Sequence, residues 1–241
     1  MQVREHVDEL ERQGVALVAA AEAAGPDAAV PDCPGWTVRD LVAHTAGVHA
    51  WATTFVRADP DAVRDAELPG PAPGEDVVAR YRAAHAELVA ALRAAPPDLQ
   101  TWSFLAAPSP LAFWARRQAH EAAVHRADAE AAAGRPVGYS AAFAADGIDE
   151  LLTCFLTRPG RRLRSERPLR LLVAPDDEPR RWLATIDADG CRVTVSTAEE
   201  PADHTARGPA SALYLQLWNR GAPAGDNPVI ALWRERARIT W

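Results

Sequence analysis

The sequence predicts an α+β protein, with a four-helix bundle over residues 1–160 and a small α+β domain over residues 161–241. Three observations carry this. Apolar residues recur at helical spacing through the first two thirds of the chain. After RPGRRLRSERP (158–168) the pattern changes to short β-rich segments. The chain has 241 residues, 48% of them apolar, which is enough for one large core or two modest ones.

In the first helix, over residues 3–21, Val3, Val7, Leu10, Gly14, Leu17 and Ala21 form one apolar stripe. Pro26, Pro31 and Pro34 break it. The second helix runs over 37–57. Thr37 and Asp40 fit a capping box, and Trp36 and Leu41 are placed to form a hydrophobic staple around it. The loop LPGPAPG (68–74) leads to a third helix over 75–95, with Val78, Tyr81, His85, Leu88 and Leu92 on one side. Ser109-Pro110 is a helix start, a serine cap with proline in the first turn, and Gly134 ends that fourth helix. A shorter fifth helix covers 141–157. Beyond it, LRLLVA, RWLATIDA and CRVTVST read as strands, the last two joined in a hairpin through Asp187-Ala188-Asp189-Gly190. SALYLQLWNR reads as a helix and ARITW as a final strand.

Composition narrows the function. A net charge of −7 argues against a nucleic-acid partner. No apolar run is long enough for a membrane helix, and the charged start MQVREHVDELERQG lacks a signal core, so a cytoplasmic protein is expected. Cys33, Cys154 and Cys191 are far apart and form no CxxC pair, which points away from a disulfide framework or a thiolate zinc site. All 26 basic residues are arginine. A Schiff-base lysine and a P-loop lysine are therefore excluded.

The candidate site lies on the second and fourth helices. In SPLAFWARRQAHEAAVHRADAE, Glu121 and His125 stand at i, i+4, about 5–6 Å apart at Cβ, so both can reach one ion. Trp114, Gln118 and Asp128 share their face. His120 points roughly 120° away, at about 100° per residue. His44 lies at the edge of the second helix's apolar stripe and can supply a third ligand from another helix. His49 points about 140° from it and is a poor co-ligand on the same helix. His85 faces inward as a core or pocket residue. Spacing alone also fits a surface Glu/His pair and a core His44.

The combination PGWTVRDLVAHTAGV, RRQAHEAAVHRADAE and ARGPASALYLQLWNR resembles the maleylpyruvate isomerase family of mycothiol-dependent proteins, within the wider DinB-like four-helix metalloprotein group. The resemblance covers nearly the whole chain. It implies a DinB-like bundle that binds a divalent metal, usually zinc, through His44, Glu121 and His125. It also implies mycothiol as thiol cosubstrate, with a small electrophilic molecule as the other partner. Three protein ligands leave positions open for chemistry. Asp40 and Asp128 are candidates to orient a ligating imidazole. Arg220 resembles a family arginine able to meet substrate carboxylates, and reads equally as a surface arginine after a helix.

Three functions follow. The first is a metal- and mycothiol-dependent isomerase or S-transferase, a monomer or homodimer with no nucleic-acid or membrane partner. The second is a non-catalytic module holding a metal or small ligand. The third is a bundle whose histidines are structural. The first requires His44, Glu121 and His125 to converge within ligand reach, with a cleft beside them. The second requires a filled or closed coordination shell. The third leaves Glu121 facing solvent or His44 far from it.

Overall fold

The computed structural model describes residues 1–59, 61–65, 67–68, 70–158, 160, 163–222 and 225–239. The chain divides into two compact units, Met1–Val137 and Gly138–Trp241.

The first unit holds four helices: α1 (Val3–Ala24), α2 (Val38–Val56), α3 (Val77–Ala94) and α4 (Pro110–Ala132). α1 lies along α4 and α2 along α3, with further contacts of α1 to α3 and of α2 to α4. The apolar stripes meet inside, where Leu10, Leu17, Leu41, Leu88 and Trp114 have no solvent exposure. Each start after the first is capped by a side chain that accepts otherwise orphaned amides. Thr37 and Asp40 form the reciprocal cap of α2, the Asp40 carboxylate accepting from Thr37 N at 2.8 Å. Asp76 accepts from Val78 N and Ala79 N, and Ser109 accepts from Ala112 N. One end of the α2–α4 seam is aromatic, with Trp51 and Phe55 packed on Trp114 at centroid distances of 5.3 and 5.2 Å.

α1 and α3 approach closely at Gly14. His85 of α3 donates from Nε2 to the Leu10 carbonyl at 3.1 Å, and a Cβ on residue 14 would stand 2.2 Å from that nitrogen. Only a glycine leaves room for the imidazole here. Tyr81 caps the same seam, its hydroxyl donating to the Gly14 carbonyl at 3.2 Å.

The second unit begins with α5 (Ala141–Asp149), which continues as a π-helical stretch over Glu150–Phe155. The strands β1 (Leu169–Pro175), β2 (Arg181–Asp187), β3 (Gly190–Ser196) and β4 (His204–Gly208) form one sheet in the order β3-β2-β1-β4. β1 pairs antiparallel with β2 and parallel with β4. The β2–β3 hairpin closes between Asp187 and Gly190, as the sequence predicts. α6 (Ala210–Leu217) and α7 (Pro228–Arg236) complete the unit, both in contact with β1.

Three expectations change. The division falls before α5 rather than near residue 160. α5 packs on α6, and Asp149 at its end accepts a 3.0 Å hydrogen bond from Trp182 Nε1 of β2, so this helix belongs with the sheet. β4 and α7 were not expected. β4 carries little apolar alternation and is ordered by its pairing with β1, whereas α7 begins with an Asn227 cap and Pro228, the same kind of start signal as Ser109-Pro110. The expected final strand does not form over residues 237–239, and its last two positions, with Pro69 of the 68–74 loop and 159, 161 and 162 of the 158–168 segment, lie outside the described residues. Among the described residues no helix is long and apolar enough to cross a membrane.

Candidate metal centre

His44, Glu121 and His125 come together inside the first unit. One ligand atom of each lies within 4.8 Å of the others. The Thr37–Asp40 cap starts α2 at a fixed point, which sets His44 two turns in. α4 presents Glu121 and His125 on successive turns toward it. Glu121 Oε1 lies 3.1 Å from His125 Nε2 and 3.7 Å from His44 Nε2. Two donors about 2.1 Å from one ion at a tetrahedral angle stand about 3.4 Å apart. The two observed separations bracket that figure.

The donor chemistry supports the same fit. His125 Nδ1 is 2.9 Å from Asp128 Oδ2 while its Nε2 faces Glu121, so both ring nitrogens meet carboxylate oxygens. A neutral imidazole has one N–H and satisfies only one of them. The other contact needs a proton or a cation between nitrogen and oxygen. In the metal-free chain it is a proton. Burial opposes the charge on His125, but the hydrogen bonds to Asp128 and Glu121 outweigh it and raise its pKa to about 9. Burial also works against a charged Glu121. The hydrogen bond and charge of His125, with His44 and Arg117, prevail and hold its carboxyl well below the usual range.

The surroundings fix these groups. Arg117, one turn before Glu121 and 1% exposed, donates from Nη2 to Glu121 Oε2 at 3.4 Å and so leaves Oε1 facing the histidines. Cys33 Sγ lies 3.5 Å from Asp128 Oδ2. The Trp36 ring lies over both imidazoles, 5.0 Å from His44 and 6.4 Å from His125 between centroids. Trp36, expected as a staple, thus also packs on the candidate ligands.

The other sequence candidates separate clearly. Asp128 is fully buried and on His125, as expected of an orienting group. Asp40 is exposed and bonds Thr37, where it serves the cap and not an imidazole. His120 is buried on another side of α4, its ring 6.2 Å from that of His6. His85 is a core residue on the Leu10 carbonyl. Arg220 lies in the second unit after α6, its Nη1 donating to the Trp218 carbonyl at 2.9 Å.

Two features escape sequence reasoning. Arg117 stands at i, i+4 to Glu121, a spacing that in sequence looks the same as any exposed helical ion pair. His49 has no solvent exposure, and neither ring nitrogen has a hydrogen-bond partner among the described residues. Burial first, then the His85 charge, push its pKa down to about 3, so it is neutral. Its ring packs 5.4 Å from Tyr81 and 5.5 Å from His85.

Comparisons with known proteins agree with this architecture. The mycothiol maleylpyruvate isomerase N-terminal domain matches residues 7–130, and the MDMPI C-terminal domain matches residues 142–238. Among solved structures, the crystal structure of the mycothiol-dependent maleylpyruvate isomerase is similar at a TM-score of 0.58 and 13% identity, over 92% of this chain and 90% of that one. A histidine-to-alanine mutant of the mycothiol-dependent maleylpyruvate isomerase gives a TM-score of 0.59 at 11% identity, over the same shares. No curated protein matches the sequence. At these identities the solved structures show a shared fold. The two domain matches span both units, and on them the chain belongs to the mycothiol maleylpyruvate isomerase family.

Proposed function

We propose that the chain is a divalent-metal- and mycothiol-dependent enzyme, with zinc as the metal, acting in the cytoplasm on an electrophilic small molecule by cis–trans isomerisation or S-transfer. One observation carries the reading: His44 Nε2, Glu121 Oε1 and His125 Nε2 converge with both nitrogens of His125 facing carboxylates. The family and the names of the similar structures supply the thiol and the reaction class. Three protein ligands are the number typical of catalytic rather than structural zinc. A divalent cation held there would favour the thiolate of a small thiol over the thiol, and the thiolate is the nucleophile.

The chain's own groups prepare that position. Asp128 accepts the Nδ1 proton of His125, fixes the tautomer and aims the Nε2 lone pair inward. Arg117 holds one oxygen of Glu121 and frees the other. Trp36 packs on both imidazoles and restrains their rings. In the isomerisation, the thiolate sulfur adds to one carbon of an activated double bond. The π pair moves onto the conjugated carbonyl. The new single bond turns, and C–S cleavage restores the double bond and the thiolate. Arg220 is proposed to bind a substrate carboxylate, for which its planar fork is suited.

Elemental analysis of wild type and His125→Ala tests the centre, followed by assay with mycothiol and maleylpyruvate. Near-stoichiometric zinc that the variant loses, with turnover that needs the thiol, is expected. A wild type that takes up no zinc on reconstitution overturns the centre. A zinc-loaded wild type with no thiol-dependent turnover reduces it to a metal-binding module.

A further inference from the structure

We propose that Gln118 is a ligand-binding residue of this centre, and that its side-chain amide receives an amide or hydroxyl group of the molecule bound there. This rests on the function proposed above and adds a recognition element to it. Gln118 lies on α4 three residues before Glu121. At about 100° and 1.5 Å per residue it points within roughly 20° of His125 and 60° of Glu121, about 4.5 Å along the axis from the latter. Its neighbours on that row both meet α2. Trp114, one turn before, packs on Trp51, and Glu121, one turn after, faces His44. Gln118 therefore sits in the α2-facing row between the aromatic end and the metal ligands.

The side chain is only 1% exposed, and its Oε1 is buried with no hydrogen-bond partner among the described residues. An unpaired amide oxygen at a core position costs stability that leucine or methionine there would not. A ligand that pairs with it offsets the cost. Turning the amide over exchanges an acceptor for a donor at the same spot. Amides and hydroxyls carry both, so they are the complementary class. Gln118 is also neutral, and so adds no charge beside Glu121. The two molecules of the proposed reaction, the thiol cosubstrate and the electrophile, are the candidates to carry such a group.

The test compares zinc-loaded wild type with Gln118→Met, which keeps the side-chain length and removes the amide. Mycothiol binding is read by calorimetry and the KM for maleylpyruvate by steady-state assay. Zinc content and melting temperature are expected to be unchanged or higher, while one of the two affinities falls about tenfold or more. A weaker mycothiol Kd assigns the contact to the thiol. An unchanged Kd with a raised KM for maleylpyruvate assigns it to the electrophile. Gln118→Asn, which keeps the amide but withdraws it by a methylene, serves if the first variant does not fold, with the same expectation. Unchanged Kd and KM in a folded, zinc-replete variant overturn the inference and leave the proposed function standing. A zinc-loaded wild type that neither binds mycothiol nor turns over maleylpyruvate overturns both.

Discussion

Nδ1 of His125 lies 2.9 Å from Oδ2 of Asp128, a carboxylate with no solvent exposure three residues further along the same helix. The contact decides which nitrogen of His125 is free to bind a metal. Asp128→Asn keeps the shape and removes the charge. Zinc affinity is expected to fall about 10–100-fold. Competition against a chromophoric chelator measures it. Full affinity in the variant would show that Asp128 serves the core alone.

Zinc uptake should also move protons. With a pKa of about 9, metal-free His125 is protonated at neutral pH. A ligating nitrogen has to give that proton up, so binding at pH 7 is expected to release about one proton per site. Calorimetry in buffers of different ionisation enthalpy reads the number directly. A binding enthalpy independent of the buffer would exclude His125 as a ligand.

The stability of the metal-free chain is expected to peak near pH 6.5. Native His49, at about 3, refuses a proton that the unfolded chain accepts below the ordinary value of 6.5. Stability is therefore lost as pH falls from about 6.5 toward 3, at up to about 1.4 kcal/mol per pH unit. His85 is shifted down in the same sense, by burial. His125 acts oppositely. Its raised value contributes stability fully present below 6.5 and lost as pH rises toward 9. Urea unfolding of chelator-treated protein from pH 5 to 9 checks both limbs. Zinc should flatten the alkaline limb, because the cation replaces the proton. A steady rise in metal-free stability from pH 5 to 9 would contradict the His125 assignment.

Thr37 and Asp40 start the helix that carries His44. Thr37→Ala is expected to cost about 1 kcal/mol of unfolding free energy. Zinc affinity should change little, since His44 lies two turns further in and is also held by Trp36. Chemical denaturation with a parallel zinc titration separates the two effects. Loss of zinc binding with little loss of stability would place Thr37 in the site itself.

The parts of this protein legible in the sequence are those governed by local rules. The capping box at Thr37 and Asp40, the serine cap before Pro110 and the Asp187–Gly190 hairpin depend on residues a few positions apart. The i, i+4 spacing of Glu121 and His125 is of the same kind, and helical phase also separated His120 from them. What stayed hidden depends on contacts distant in sequence. β4 is a strand because β1 offers it an edge. α5 belongs with the sheet because of α6 and Trp182. The burial of His49, with its depressed pKa, follows from packing against Tyr81 and His85 on α3. Asp40 and Asp128 looked alike as supporting carboxylates, and only the fold shows that one caps a helix while the other holds His125. The Asn227-Pro228 start of α7 is a local signal of the same kind as Ser109-Pro110.

The close approach of Gly14 to His85 makes the history of substitutions matter as well as their sum. A side chain at 14 has no room while the imidazole is present, so that change taken first passes through an overpacked intermediate. Shortening residue 85 first opens the space, and alanine at 14 can then follow. The two changes are expected to be strongly non-additive, and the order that begins at residue 85 avoids the overpacked intermediate. The seam between α1 and α3 behaves as a ratchet in sequence space, open in one direction and closed in the other.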